Sequence, residues 1–178
     1  LEQLNRKEER ISGERLFEGR MLRLERDMVR LSNGSETSRE VVRHPGAVGI
    51  IALRDQHVLL VRQYRYPIAQ ETLEIPAGKI DPNEAPEACA QRELREETGY
   101  RGTLEHLSTF YTTPGFTDEV IHLFFAHDLV WDPLVPDEDE LIGLERIPWD
   151  EAVQKALRNE FNDAKTMLGI LLVQGRIR

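Results

Sequence analysis

A single cysteine, Cys89, in a chain of 178 residues excludes an internal disulfide and the cysteine clusters of a structural zinc site, and it fits a reducing compartment. No stretch approaches the roughly 18 consecutive apolar residues of a membrane span. The first ten residues are dense in charge and lack the apolar centre of a secretory signal. The expected location is therefore the cytoplasm, with no membrane partner. Basic charge is also in deficit: 23 Lys and Arg face 32 Asp and Glu, for a net charge of −9. Such a surface repels phosphate backbones, so no nucleic-acid partner is expected. Internal repeats and low-complexity linkers are absent as well. What is present is a 40% hydrophobic complement with 12 Gly and 9 Pro, enough for one proper core at this length. The first ten residues are assigned no role.

Hydrophobic periodicity divides the rest. Short apolar runs between Phe17 and Val42 flank Ser32-Asn33-Gly34-Ser35, and Asn-Gly between such runs is a strong hairpin signal. Phe17 is read as a core residue of these strands. An N-terminal antiparallel set over 1–43 is too small to bury a face alone, so it is expected to pack on something else, a second subunit being one choice. Residues 44–178 form the main domain. Strands are expected over 47–53 and 58–61, joined at Asp55-Gln56, then over 102–110, 120–126 and 141–147. Leu73 to Gly78 reads as a short strand entering a glycine loop. Asp81-Pro82-Asn83 offers helix-start residues for a helix from about Glu84 to Thr98, with Gly99 as its left-handed stop. Two further helices are expected over 149–158 and 164–173. Strands interleaved with helices imply a mixed α/β body.

The chemistry-bearing segment is Gly78-x5-Glu84-x7-Arg92-Glu93-Leu94-Arg95-Glu96-Glu97-Thr98-Gly99-Tyr100. At helical spacing Glu93 and Glu97 share one face, with Glu96 beside them. Like charges at this spacing cost roughly 0.2–0.5 kcal/mol per pair, and the last turn of a helix further disfavours anions. Hard divalent cations would compensate, because they take carboxylate and carbonyl oxygens. A solvated, ion-paired helix end is the alternative for the Arg-Glu-x-x-Glu-Glu run taken alone. Seven specified positions over 23 residues, two of them glycines, make the full pattern far more specific than the run.

That pattern resembles the Nudix box at every defined position, with Leu94 and Tyr100 in its hydrophobic slots. The resemblance implies the Nudix fold, an α/β/α sandwich of α+β type with a mixed sheet, here with N-terminal antiparallel strands added. It implies cation-dependent hydrolysis of a nucleoside diphosphate linked to another moiety. Carried over, it implies metal ligation by Glu93, Glu96, Glu97 and the Ala77 carbonyl, an Arg92 that orients the glutamates, and Glu84 as support. Mg²⁺ is the implied cofactor, with Mn²⁺ or Zn²⁺ as substitutes.

Outside the box the chain resembles the ADP-ribose pyrophosphatase group of that family. Leu73 to Gly78 looks like its entry to the box, and Thr113-Pro114-Gly115 looks like its Ser-Pro-Gly loop, with Thr113 in place of Ser. This likeness implies cleavage of ADP-ribose to AMP and ribose 5-phosphate, with substrate contacts from Pro114 and Gly115. Ser38-Arg39-Glu40-Val41-Val42 is similar to the stretch through which dimeric members touch the adenosine end, so Arg39 and Glu40 become substrate residues and a homodimer through the N-terminal strands is expected. The alternative for that stretch is an edge strand of alternating charge. Arg65 matches the phosphate-contacting arginine, a role for which a guanidinium fork is suited. A water attacking phosphorus needs a general base. Counting back from Pro148 places the family's base on Glu140, with Glu138 in reserve. The rival readings are hydrolysis of another nucleotide sugar such as GDP-mannose, and a non-catalytic nucleotide sensor.

Overall fold

The computed structural model describes residues 6–135 and 141–176. These form two compact units: the described part of Leu1–Gly46 together with Tyr111–Val120, and Ala47–Phe110 together with the described part of Ile121–Arg178.

The first unit is a three-stranded antiparallel sheet in the order β1 (Glu9–Glu18), β2 (Arg23–Arg30), β3 (Glu36–Arg43). The expected hairpin joins β2 to β3. The Leu31 N–H donates to the Ser35 carbonyl at 2.8 Å, and the Asn33 side chain accepts the Ser35 N–H at 3.0 Å. Gly34 takes the positive φ of 85° that closes the turn. Three expectations change. Residues 8–10 have a structural part after all, since Glu9 and Arg10 open β1 and Arg10 Nε donates to Asp27 at 2.8 Å. A carboxylate that is only 4% exposed requires such a partner. Phe17 is 56% exposed rather than core, because every residue of β1 is exposed. The loop at Pro114 also groups with these strands: the Phe116 carbonyl accepts the Val42 N–H at 2.8 Å, and the Asp118 carboxylate accepts the His44 N–H at 2.9 Å and Arg43 Nη1 at 3.1 Å.

The second unit is built on a seven-stranded mixed sheet. Its path is β10 (Ile142–Pro148), β5 (His57–Arg65), β4 (Ala47–Arg54), β9 (Val120–Trp131), β8 (Tyr100–Tyr111), with β6 (Gln70–Glu74) on β5 and β7 (Ala77–Lys79) on β4. Asp55 and Gln56, at φ 48° and 59°, form the two-residue turn whose twist suits the β4–β5 hairpin. β4 pairs with β9 in parallel. The period of two along β4 decides the layers. Val48, Ile50 and Ala52 pack with Cys89, Ala90 and Leu94 of α1 (Pro86–Thr98). Ile51 faces the other way, with Val153 of α2 (Trp149–Leu157) and Ile170 and Val173 of α3 (Ala164–Arg176). This is the α/β/α sandwich anticipated from the sequence. No described helix is long and apolar enough to cross a membrane.

α1 begins two residues later than expected. Pro86 occupies its first turn, where a missing N–H costs nothing and the ring presets φ. Asp81 and Glu84 instead close a turn of their own, the Glu84 N–H donating to the Asp81 carbonyl at 3.0 Å and Glu84 Oε2 accepting the Asp81 N–H at 3.1 Å. At the other end Gly99 adopts φ 78° and its N–H donates to the Arg95 carbonyl at 3.0 Å, the stop foreseen for it. β8 and β9 run longer than the apolar pattern suggested, since backbone pairing carries on through polar residues.

Candidate active site

The last two turns of α1 lie against the β7 turn, and backbone geometry there is set by what must approach it. A Cβ built on Gly78 would stand 1.9 Å from the Glu93 carboxyl carbon, so only glycine leaves room for that carboxylate. Glu97 is held on the same turn, its Oε2 accepting the Ala77 N–H at 2.9 Å. Glu93 and Glu97 are 6% and 8% exposed, an expensive placement for two acids that demands compensating donors.

Arg92 provides much of this. Its Nε and Nη2 form a fork on Glu84, both at 3.0 Å, while Nη1 donates to Glu93 at 2.7 Å and to Glu96 at 2.9 Å. The guanidinium holds the Glu84 carboxyl at about 2, well below the usual range, and the same bonds raise Arg92 itself. Arg92 thus bonds three glutamates at once, Glu84, Glu93 and Glu96. Cys89, one turn earlier, is buried, and burial first and the Glu84 charge second push its thiol up to about 12.

Glu93 and Glu96 both turn to Arg92, whereas Glu97 turns to Ala77. Among the described residues no group of three or more Asp, Glu, His or Cys is drawn together as a metal cage. The donor set still suits a hard divalent cation: three carboxylates within five residues, no sulfur or imidazole among them, and a cradle at Gly78 that a Cβ would fill. Ala77 meets this cluster through its N–H, and its carbonyl remains a proposed ligand.

Arg65, at the end of β5, is tied to a residue that the sequence reading did not single out. Its Nε and Nη2 donate to the two oxygens of Glu74 at 2.7 and 2.6 Å. Lys165 Nζ also bonds Glu74. Burial would raise the Glu74 carboxyl, but the Arg65 hydrogen bonds and the Lys165 charge outweigh it and hold the group at about 2. Arg65 is raised by its bonds to Glu74, and the charges of Asp163 and Glu97 add to the effect. The one available signal for Glu74 was an acid inside an otherwise apolar Leu-Glu-Ile strand end.

The remaining predicted residues lie in the first unit or beyond the described ones. Arg39 on β3 forms a fork on Glu8, at 2.7 and 3.0 Å, and Glu40 lies 3.4 Å from Arg26 Nη2. Pro114 and Gly115 sit in a turn where the Phe116 and Thr117 N–H groups both donate to the Thr113 carbonyl at 3.2 Å. Glu140 and its reserve Glu138 lie outside the described residues.

A family profile for the NUDIX domain matches residues 43–168. The chain is 42% identical over 171 residues to the methanol dehydrogenase activator of Bacillus methanolicus. It is 39% identical over 171 residues to the ADP-ribose pyrophosphatase of Bacillus subtilis (strain 168). Each alignment covers 94% of this chain and 92% of the relative. Among solved structures, a crystal structure of an ADP compounds hydrolase superposes with a TM-score of 0.85 at 26% identity, covering 96% of this chain and 94% of the other.

Proposed function

The chain belongs to the NUDIX domain family, and from that premise we propose that it hydrolyses the pyrophosphate of ADP-ribose to AMP and ribose 5-phosphate. The observation that carries this reading is the pair of buried carboxylates at the Ala77-Gly78 turn, Glu93 held by Arg92 and Glu97 by the Ala77 N–H. The resident cofactor is a divalent cation, Mg²⁺ foremost with Mn²⁺ or Zn²⁺ as substitutes, held by Glu93, Glu96, Glu97 and the Ala77 carbonyl. Such an ion neutralises the diphosphate and acidifies the attacking water.

The chain's own residues supply the rest. Arg92 fixes Glu93 and Glu96, so these side chains need not be ordered when substrate arrives. Arg65 contacts the phosphates. The attacking water forms a P–O bond as the bridging P–O bond breaks, and its proton passes to Glu140, or to Glu138, as general base. Arg39 and Glu40 recognise the adenosine end, and Pro114 and Gly115 line the approach to it. Freeing Arg39 from Glu8 opens an ion pair that is exposed on both sides, so water screens and replaces much of what is lost. A homodimer through the N-terminal strands and a cytoplasmic location complete the proposal.

The test is AMP release from ADP-ribose with Mg²⁺, followed by chromatography, for the wild type and Glu97→Gln. Glu97→Gln should lose most turnover while melting like the wild type. Near wild-type kcat in that variant would contradict the metal assignment. A panel that includes GDP-mannose tests the choice of nucleotide sugar. A second reading, a nucleotide-binding regulator of a partner enzyme, is favoured by the identity with a protein named as an activator. It would win if the chain bound ADP-ribose tightly in Mg²⁺ and released no AMP.

A further inference from the structure

Glu74 closes β6 at 3% exposure, yet its carboxyl is held low and bears two cations, Arg65 from the neighbouring strand and Lys165 from 91 positions on. The fork from Arg65 engages Nε and Nη2 and so fixes the plane of the guanidinium. Among the described residues no hydrogen bond uses Arg65 Nη1, and the side chain is 40% exposed. One edge of the guanidinium is thus anchored and the other is available.

The anchor is itself immobilised. Thr72 Oγ1 donates to Glu74 Oε1 at 2.5 Å, and Lys165 takes Oε2. Lys165 arrives from the first turn of α3, where its Nζ also lies 3.0 Å from Asp163. Both Glu74 oxygens are therefore shared between Arg65 and a second donor, so the carboxylate cannot rotate without disturbing three charge-assisted bonds. A free arginine loses rotamer entropy when a ligand orders it. A guanidinium already held in place avoids most of that loss.

Resting on the diphosphate-hydrolase reading above, we infer that Glu74 and Lys165 are positioning residues for substrate binding. Glu74 aims the free edge of Arg65 at the diphosphate, and Lys165 locks Glu74 in the orientation that does so.

Steady-state kinetics on ADP-ribose with saturating Mg²⁺ tests this, with melting temperatures measured in parallel. Glu74→Gln should raise KM about tenfold or more, the scale of a charged hydrogen bond, with a smaller change in kcat. Lys165→Met, which leaves the Arg65–Glu74 fork in place, should raise KM by less. In an Arg65→Ala background, Glu74→Gln should add nothing further, because the group it positions is gone. Glu74→Gln leaves two cations without their shared anion, so Glu74→Gln combined with Lys165→Met, which preserves net charge, guards against a folding failure. An unchanged KM in any folded Glu74 variant, or a full multiplicative loss on top of Arg65→Ala, overturns the positioning role and leaves the hydrolase reading standing. A wild-type protein that hydrolyses no nucleoside diphosphate compound overturns that reading, and the inference with it.

Discussion

Replacing Gly78 by alanine separates function from stability more sharply than any change to a charged residue of the site. The added methyl would lie 1.9 Å from the Glu93 carboxyl carbon and 1.9 Å from Oε1. The carboxylate would have to retreat by roughly 1.6 Å or more to regain an ordinary carbon contact of about 3.5 Å. The group in the way is the far end of a flexible side chain, and Gly78 is not among the glycines with positive φ, so the backbone can keep its course. The cost to folding is then mainly the bond from Arg92 Nη1 to Glu93, at 2.7 Å, worth about 1.5–3 kcal/mol for a charged pair. For a chain of this size that is a fall in Tm of roughly 3–12 °C. The cost to catalysis is larger, because misplacing a reacting or ligating group by about 1 Å can lose on the order of 100-fold in rate. Gly78→Ala should therefore melt cooperatively at a modestly lower temperature and release AMP from ADP-ribose about a hundred times more slowly. A folded Gly78→Ala protein with kcat within a factor of two or so of the wild type would refute the claim that this turn exists to admit Glu93.

Acid stability offers a second check. The Glu74 carboxyl lies at about 2 in the folded chain against an ordinary 4.5, so the folded state is favoured above the ordinary value and loses that advantage as pH falls toward 2. Urea unfolding between these values should show stability dropping by about 1.4 kcal/mol per pH unit from this group. Glu84, held down by Arg92, adds in the same direction, and Glu74→Gln should flatten the slope. Cys89 supplies a third: with its thiol buried and pushed up to about 12, it should resist a thiol reagent at pH 8 in the native protein and react promptly in denaturant. A fast native reaction would contradict the packing of α1 on β4.

What proved legible in the sequence shares one property, which is short range along the chain. Gly78, Arg92, Glu93, Glu96 and Glu97 lie within one turn and one helix, so helical periodicity was enough to bring the acids to one end and Gly99 was enough to stop the helix there. Asn33-Gly34 and Asp55-Gln56 encode their hairpins in the same local way, through backbone conformations that few residue types tolerate. The helix start was misplaced because Asp81 and Asn83 look like caps, while Pro86, three residues beyond Asn83, was the stronger determinant.

The sequence by itself determined that acids would gather at the end of one helix beside a glycine, that the chain would alternate strands with helices, and that its family would be recognisable. The tertiary structure alone decided how those acids are held, with Arg92 shared by Glu93 and Glu96 and the Ala77 N–H on Glu97. It alone joined Glu74 to Lys165 across 91 positions, gave Asp27 a partner in Arg10, and turned Phe17 outward. The reason is physical: backbone propensity and periodicity act over a few residues, whereas an ion pair in a buried place depends on which distant strand and helix the packing of the core brings together.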